Sequence, residues 1–417
     1  MATIPAGLDL VALDAERLRD VLELDMWAFP TGDDIEEMLK IPNPLSWDRT
    51  FGLADPSDGG RLVGLHASYP FARCPVPGGR LPVAGLTWVG VHPQWRRRGL
   101  LSAMIDVHFA HCRDRGEPLS LLTASEPAIY GRFGYGLSTR KAGLTLRRGA
   151  ALRDVPGADE LSVVFETATA ARHGELVARL HGSVERPGWV TRESAELQRY
   201  WMSDSPVFRG GAEAQRILVA ERDGEPVGYA LFRRKGAWDE SGSKGSAHVQ
   251  EYVAADAAVA RAIWGRLLDL DLVVEVTVGQ LPLDDPLFLQ LVDVRAARPS
   301  WQDNTWARII DLPAALVGRR YQADLDVVLE LSDARLPGNA GRWRLSAAAF
   351  DVPTVERTSS PADLALDIRE LGSAYLGGFS LAGLAAAGLV AELVPGTLAR
   401  ASVAFGWPVG PGSSWIF

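Results

Sequence analysis

The stretch from Leu86 to Arg98, LTWVGVHPQWRRR, runs through Gly99 into LLSAMIDVHFAHCRDRG, and it limits what the chain can fold into more than any other segment. The apolar run from Leu86 to Val91 predicts a buried strand, and His92, Pro93, Gln94 and Trp95 predict a loop. Three arginines and Gly99 follow, and then apolar residues recur at helical spacing. A strand that passes through a basic, glycine-containing turn into a helix brings backbone N–H groups, the positive end of a helix and guanidinium groups to one spot. That combination is a cradle for phosphate.

The surrounding elements have a definite order. Ala12 to Leu24 predicts a helix with Asp14 as its N-cap, Phe29-Pro30-Thr31 ends it, and Asp34 to Leu39 predicts a second short helix. RTFGLADPSDGGRLVGLHASYPF predicts a hairpin about Asp-Pro-Ser-Asp-Gly-Gly, and Cys74 to Gly79 a second turn leading into the cradle strand. After the cradle helix come a buried strand (Leu119 to Ser125), the turn-rich EPAIYGRFGYG and a further strand in KAGLTLRR. Helices are expected over Ala168 to His181 and Ser194 to Met202. ILVAERDGEPVGYALFRRKG, a strand (Ala247 to Val253), a helix (Asp256 to Leu268) and a strand (Leu272 to Val278) then repeat the first order, so an internal duplication is expected. The second copy carries Ala254-Ala255-Asp256-Ala257-Ala258 where the first carries its arginines and glycine. An acidic, side-chain-crowded turn repels a diphosphate, which makes the second copy a scaffold. From Trp306 onward, alternating apolar and polar stretches with turns between them predict a small α+β domain with a mostly antiparallel sheet, and Ser380 to Leu389 a small-residue helix. The expected division is therefore 1–150, 151–305 and 306–417.

Bulk properties remove several function classes. A chain of 417 residues exceeds a single core, given roughly 150 residues per domain. Hydrophobic content of 47% with 23% charged residues is that of a globular protein. The net charge of −9 argues against bulk nucleic-acid binding and suits a cationic substrate, although many acidic proteins are simply soluble. Cys74 and Cys112 are too few for a disulfide framework or a four-cysteine zinc site. The first residues lack the basic-then-apolar order of a signal peptide, and no apolar run reaches the roughly 18 residues of a spanning helix. A cytoplasmic protein without a membrane span is expected. His108 and His111 stand three apart without a third ligand nearby in sequence, so they read as helix-face histidines and no metal is expected. Trp47, Trp88, Trp95 and Trp301 are candidates to line a pocket or fill a core.

The element order, with Arg96-Arg97-Arg98-Gly99-Leu100-Leu101 in its turn, resembles the GCN5-related N-acetyltransferase (GNAT) fold. The resemblance implies acetyl-CoA as co-substrate, with its pyrophosphate on the amides of Arg97, Arg98, Gly99, Leu100, Leu101 and Ser102. It also implies that Val89, Gly90 and Val91 splay from the neighbouring strand and pair with the pantetheine amides, and that Ser125 and Glu126 lie across the same gap. The family's turn ends in glycine or alanine where this chain has Leu101. By themselves Val89 to Val91 are equally a core strand, and Ser125-Glu126 equally an N-cap and first-turn acid.

Acetyl transfer from a thioester to an amine moves two protons: the amine must be neutral to attack, and the departing thiolate, with pKa about 8.5, benefits from a donor. Tyr130 and Tyr135 in Tyr-Gly-Arg-Phe-Gly-Tyr-Gly are candidate donors, since phenols of pKa about 10 stay protonated at neutral pH. Either is equally an aromatic packing a loop under the sheet. This motif, Ser125-Glu126, the basic turn, the duplicated unit and a sterol-carrier-like third domain together look like the enhanced intracellular survival (Eis) N-acetyltransferases of actinobacteria. The resemblance covers essentially the whole chain and implies an α+β fold: tandem GNAT units, the second degenerate, then a sterol-carrier-protein-like domain. It assigns Tyr130 as general acid and the terminal carboxylate, on Phe417 here, as general base. It further implies small-molecule or peptide amine acceptors (aminoglycoside, polyamine or lysine type) and a homohexamer. A free α-carboxyl, pKa about 3.3–3.7, is a weak base unless desolvated. Trp415-Ile416-Phe417 is apolar enough to be buried, and equally suited to completing a core. Ile416 brings no charge for a polycation. Two other classes fit the same residues, a coenzyme A- or lipid-binding protein without turnover and an interaction scaffold.

Overall fold

The computed structural model describes residues 3–30, 32 and 34–417. Met1 and Ala2 of the N-terminal segment, and Thr31 of the expected helix break, lie outside the described residues. The first sheet contains β1 (Asp9–Ala12), β2 (Thr50–Asp55), β3 (Arg61–Val76), β4 (Gly79–Val91), β5 (Leu119–Thr123), β6 (Gly136–Leu137) and, from far along the chain, β16 (Thr305–Ile309). Its order is β1-β2-β3-β4-β5-β16-β6. Helices α1 (Leu18–Ala28), α2 (Ile35–Met38) and α3 (Leu100–Asp114) belong to the same unit. The helix expected from Ala12 begins later, because Asp9 to Ala12 pair antiparallel with β2 and Asp14 caps a 3-10 turn ahead of α1. In α3 the buried Leu100, Ala103, Met104 and Val107 share one helical face, which packs on β3 and β4.

The second sheet contains β7 (Arg140–Arg147), β8 (Ser162–Thr167), β9 (Arg216–Arg222), β10 (Glu225–Lys235), β13 (Gly245–Ala254), β14 (Val273–Pro282) and β15 (Ser300–Asp303), in the order β15-β7-β14-β13-β10-β9-β8. Its helices are α4 (Ala170–Gly182), α5 (Ala195–Trp201), α6 (Ala257–Leu268) and α7 (Leu287–Gln290), while β11 (Trp238–Asp239) and β12 (Gly242–Ser243) form a separate hairpin. The third unit contains α8 (Leu312–Gly318), β17 (Leu325–Ser332), β18 (Gly341–Ala347), β19 (Thr354–Arg357), β20 (Leu364–Asp367), α9 (Ile368–Tyr375), α10 (Leu381–Ala386), β21 (Val390–Glu392) and α11 (Thr397–Phe405). Its sheet, β19-β18-β17-β20-β21, is antiparallel except where β17 and β20 run parallel. Two sheet-and-helix units followed by a smaller third unit, in the expected α+β architecture, is therefore what the chain forms.

The sheets cross the sequence divisions at 150 and 305. β7 leaves the first unit and pairs with β14 and β15 of the second, burying Ala142, Leu144 and Leu146 there. β16 enters the first sheet between β5 and β6. The third unit then seats α9 directly on β6 and β16. Only glycine permits that approach: a Cβ at Gly136 would lie 1.9 Å from the Arg369 carbonyl oxygen, and one at Gly372 would lie 2.6 Å from that of Ala307. One continuous core spans the first and third units as a result, running from Phe71 and Leu121 to Leu345 and Phe405.

Candidate active site

The site is built where β4 and β5 part. They pair in parallel at Val83↔Leu119, Ala84↔Ser120 and Gly85↔Leu121, and no further. β4 stays on β3 through a bulge: Gly90 faces Leu65 and Thr87 faces Ala67, so Trp88 and Val89 together oppose the single residue His66. Trp88 takes a positive φ of 52° there, and its indole N–H donates to the Tyr69 hydroxyl at 3.0 Å. The β4 edge from Leu86 to Val91, carrying Val89, Gly90 and Val91, is thereby released from β5. It can accept an extended, amide-bearing ligand as a substitute strand.

At the end of that edge the chain turns through Arg97 (φ 62°) and Gly99 (φ 85°) into α3. Gly99 is the N-cap, and no side chain caps the first turn. The leading amides of Leu100, Leu101 and Ser102 are therefore left for a ligand. A Cβ at Gly99 would meet nothing within 4 Å, so the space above it is open. Arg97 and Arg98 are exposed beside it, and the Arg98 guanidinium lies 4.8 Å over the Trp95 ring. Anion-binding backbone, helix dipole and mobile cations thus coincide, and the residues fit a diphosphate. Ser125 and Glu126 follow β5 as exposed residues, and the short 3-10 segment behind them starts at Pro127 without a side-chain cap.

The two tyrosines divide. Tyr135 is fully buried and its hydroxyl bonds Ser120 Oγ at 2.7 Å, which in turn meets His108 Nε2 at 2.8 Å. It is a core residue. Tyr130 is mostly buried among Ile129, Ala124 and Trp306, with its ring edge-on to Tyr135 at 5.9 Å. Burial and then the nearby Glu126 carboxylate push its phenol up to about 12, so it keeps its proton throughout the neutral range. The paired histidines also diverge: His108 turns into the core, while His111 packs on Phe51 at 4.4 Å. Of the four tryptophans, Trp88 and Trp95 stand at the cleft, Trp47 packs with Leu13 and Leu45, and Trp301 is 67% exposed on the second sheet.

Phe417 reaches this cleft from the far end of the chain. Its carboxylate oxygen accepts from the Thr123 hydroxyl at 2.6 Å, and its own N–H donates to the same hydroxyl oxygen at 3.2 Å. Its ring stands edge-on to Phe71 at 5.1 Å and lies 5.5 Å from Trp415. Thr123 is the last residue of β5, just past the parting point, so the carboxylate is held at the splay itself. Ile416 is 60% exposed and points away. Two contributors were not legible in the sequence. Thr123 looks like an ordinary strand end in LSLLT. Asp25 on α1 has its carboxyl raised to about 6 by burial, and it acts on the phenols of both Tyr69 and Tyr200. The helical spacing of α1 places Asp25 beside Val21 and Leu22.

Residues 11–138 and 188–309 each match a GNAT acetyltransferase domain family, and residues 312–412 match a sterol carrier protein domain family. An uncharacterized N-acetyltransferase of Streptomyces coelicolor is 41% identical over 374 residues, covering 87% of this chain and 88% of its own length. The N-acetyltransferase Eis of Mycobacterium tuberculosis is 35% identical over 330 residues, covering 76% and 77% respectively. The crystal structure of Eis1 from Mycobacterium abscessus superposes with a TM-score of 0.81 at 30% identity, covering 98% of this chain and all of that one.

Proposed function

This chain belongs to the Eis-type GNAT N-acetyltransferases, and on that premise we propose that it transfers the acetyl group of acetyl-CoA directly to a primary amine of a cationic small molecule or lysine side chain, with Tyr130 as general acid and the Phe417 carboxylate as general base. The observation that carries this reading is the Phe417 carboxylate held by Thr123 at the parting of β4 and β5. The uncapped first turn of α3, with Arg97 and Arg98, supports the diphosphate end of the donor, and the released β4 edge at Val89 to Val91 supports its pantetheine arm.

In the proposed step the amine nitrogen attacks the thioester carbonyl carbon, forming the N–C bond while the C–S bond breaks. One amine proton passes to the Phe417 carboxylate, directly or through water, and the thiolate takes the Tyr130 proton. A phenol held at about 12 is a reservoir that stays full, giving its proton only to a base generated beside it. The net charge of −9 favours amines carrying further positive groups. A cytoplasmic homohexamer, which the family resemblance implies, would cover apolar side chains such as Leu289 (81% exposed) and Val292 (58% exposed), and light scattering tests it.

Two changes test the chemistry. Tyr130→Phe, and separately one residue appended after Phe417, should each lower kcat about a hundredfold or more while acetyl-CoA still raises the melting temperature. Transfer at the normal rate by the extended chain sinks the terminal-base assignment. Failure of acetyl-CoA to stabilise the unmodified chain sinks the whole reading.

A further inference from the structure

The tail that ends in Phe417 is tied down in the second unit before it enters the first. β13 and β14 pair in parallel from Gly245↔Val273 to Val249↔Val278 and then part, as β4 and β5 do. Just past the parting point stands Glu251, fully buried. Its carboxylate accepts from both Arg192 nitrogens at 3.0 and 2.8 Å, from the Tyr229 hydroxyl at 2.5 Å and from the Ser414 hydroxyl at 2.8 Å. Those four donors fill the acceptor capacity of a carboxylate. Because Ser414 spends its proton on Glu251, its oxygen is free to accept from His181 Nε2, 2.9 Å away. That fixes the His181 tautomer as the Nε2–H form, and burial, reinforced by Arg192, holds the ring neutral with its pKa lowered to about 3.

The next residue repeats the restraint. The Trp415 indole N–H donates to the Val190 carbonyl at 2.8 Å, and the Arg192 guanidinium lies 4.1 Å over Trp201 and 5.6 Å over Trp415. Upstream, Gly412 N–H donates to Pro187 O at 3.0 Å and the Asn304 amide to Ser413 O at 3.2 Å. Every residue from 412 to 415 is therefore fastened, and all except Ser413 are held by the second unit between His181 and Glu251. Only three residues separate the Ser414 anchor from the terminal carboxylate, too few to absorb a displacement of the anchor.

We propose that the parted strands of the second unit act as a clamp whose tie point is Ser414 and whose positioning residues are Glu251, Arg192 and His181, and that this clamp sets where the Phe417 carboxylate stands in the first unit's cleft. The inference rests on the reading of Phe417 as the base. It gives the duplicated unit a role in the reaction, because its cleft grips the tail at the register where the first unit's cleft presents its donor-facing edge. Glu251, Arg192 and His181 are buried in the second unit, so they act on rate only through the position of the carboxylate.

Ser414→Ala in the full chain removes the tie and leaves Arg192 and Tyr229 on Glu251. It should lower kcat about tenfold with the KM for acetyl-CoA unchanged, and make the Phe417 end several-fold more susceptible to carboxypeptidase, with the melting temperature lowered by only a few degrees through the lost buried hydrogen bonds. A kcat equal to that of the unmodified chain overturns the clamp, and so does unchanged carboxypeptidase protection. Failure of the base reading is separable. If the chain extended past Phe417 transfers normally, the base assignment falls, and protection of the tail in Ser414→Ala still decides whether the clamp exists.

Discussion

The two GNAT units keep the same opening and fill it differently. In the first, β4 parts from β5 after Gly85↔Leu121 with a bulge at Trp88 and Val89. In the second, β13 parts from β14 after Val249↔Val278 with its bulge at Gln250, since Phe232 faces Val249 and Leu231 faces Glu251. Past the first opening stand Gly99 in the left-handed region and an uncapped helix. Past the second stands Asp256, whose carboxylate accepts from Val259 N–H at 3.0 Å and occupies the place a phosphate would take. The second opening retains a cavity of about 230 Å³, lined by Gln280, Asp285, Glu251 and Ser414. Duplication thus preserved the backbone device and replaced the charge inside it. A splayed pair of strands leaves a free edge for an extended chain, and a few side chains decide what that edge can hold.

Three changes bear on that contrast. The largest effect should come from Glu251→Ala, which leaves the Arg192 guanidinium buried beside the empty place of its anion and should cost about 3–5 kcal/mol by chemical denaturation. Its pH signature has a definite sign. Desolvation alone would raise the Glu251 carboxyl, but Arg192, His181 and the hydrogen bonds from Arg192 and Tyr229 outweigh it and lower it from 4.5 to about 2. The group binds fewer protons folded than unfolded, so its contribution is complete above pH 4.5 and is lost as pH falls toward 2. Glu251→Gln should flatten that acid limb of the melting curve, and an unchanged limb breaks the assignment. Next in size, Gly99→Asp puts in the first unit the charge that the second carries. It should raise the KM for acetyl-CoA about tenfold to a hundredfold, with kcat at saturating donor little altered. The smallest change is Asp256→Ala, which should cost about 1 kcal/mol of stability through the lost cap and leave transfer kinetics as they were. A rise in donor KM there would mean that the second opening takes part in donor binding, and the contrast would fail.

Much of the first unit was legible because local rules determine it. The cradle is contiguous, its strand, turn and helix are each specified by their own residues, and the duplication showed as a repeated element order. Tyr130 and Tyr135 could not be separated that way, since both lie in one short turn and differ only in what surrounds their hydroxyls. Packing separates them: Tyr135 ends on Ser120, and Tyr130 stays partly buried against the cluster that Val89 and Leu101 also join. The strand in KAGLTLRR was visible as a strand, but its sheet was not, because pairing partners are a long-range choice.

The sequence by itself determined the family, the three-unit order, the basic glycine turn between strand and helix and the absence of such a turn from the second copy, all of which follow from contiguous residues and their spacing. The tertiary structure alone decided the exchange of β7 and β16 between sheets, the different surroundings of Tyr130 and Tyr135, and the path of the tail. Thr123 and Phe417 are 294 residues apart and meet at 2.6 Å. No local pattern encodes such a contact: it exists because the packing of the three units brings the last residues of the chain to the end of β5.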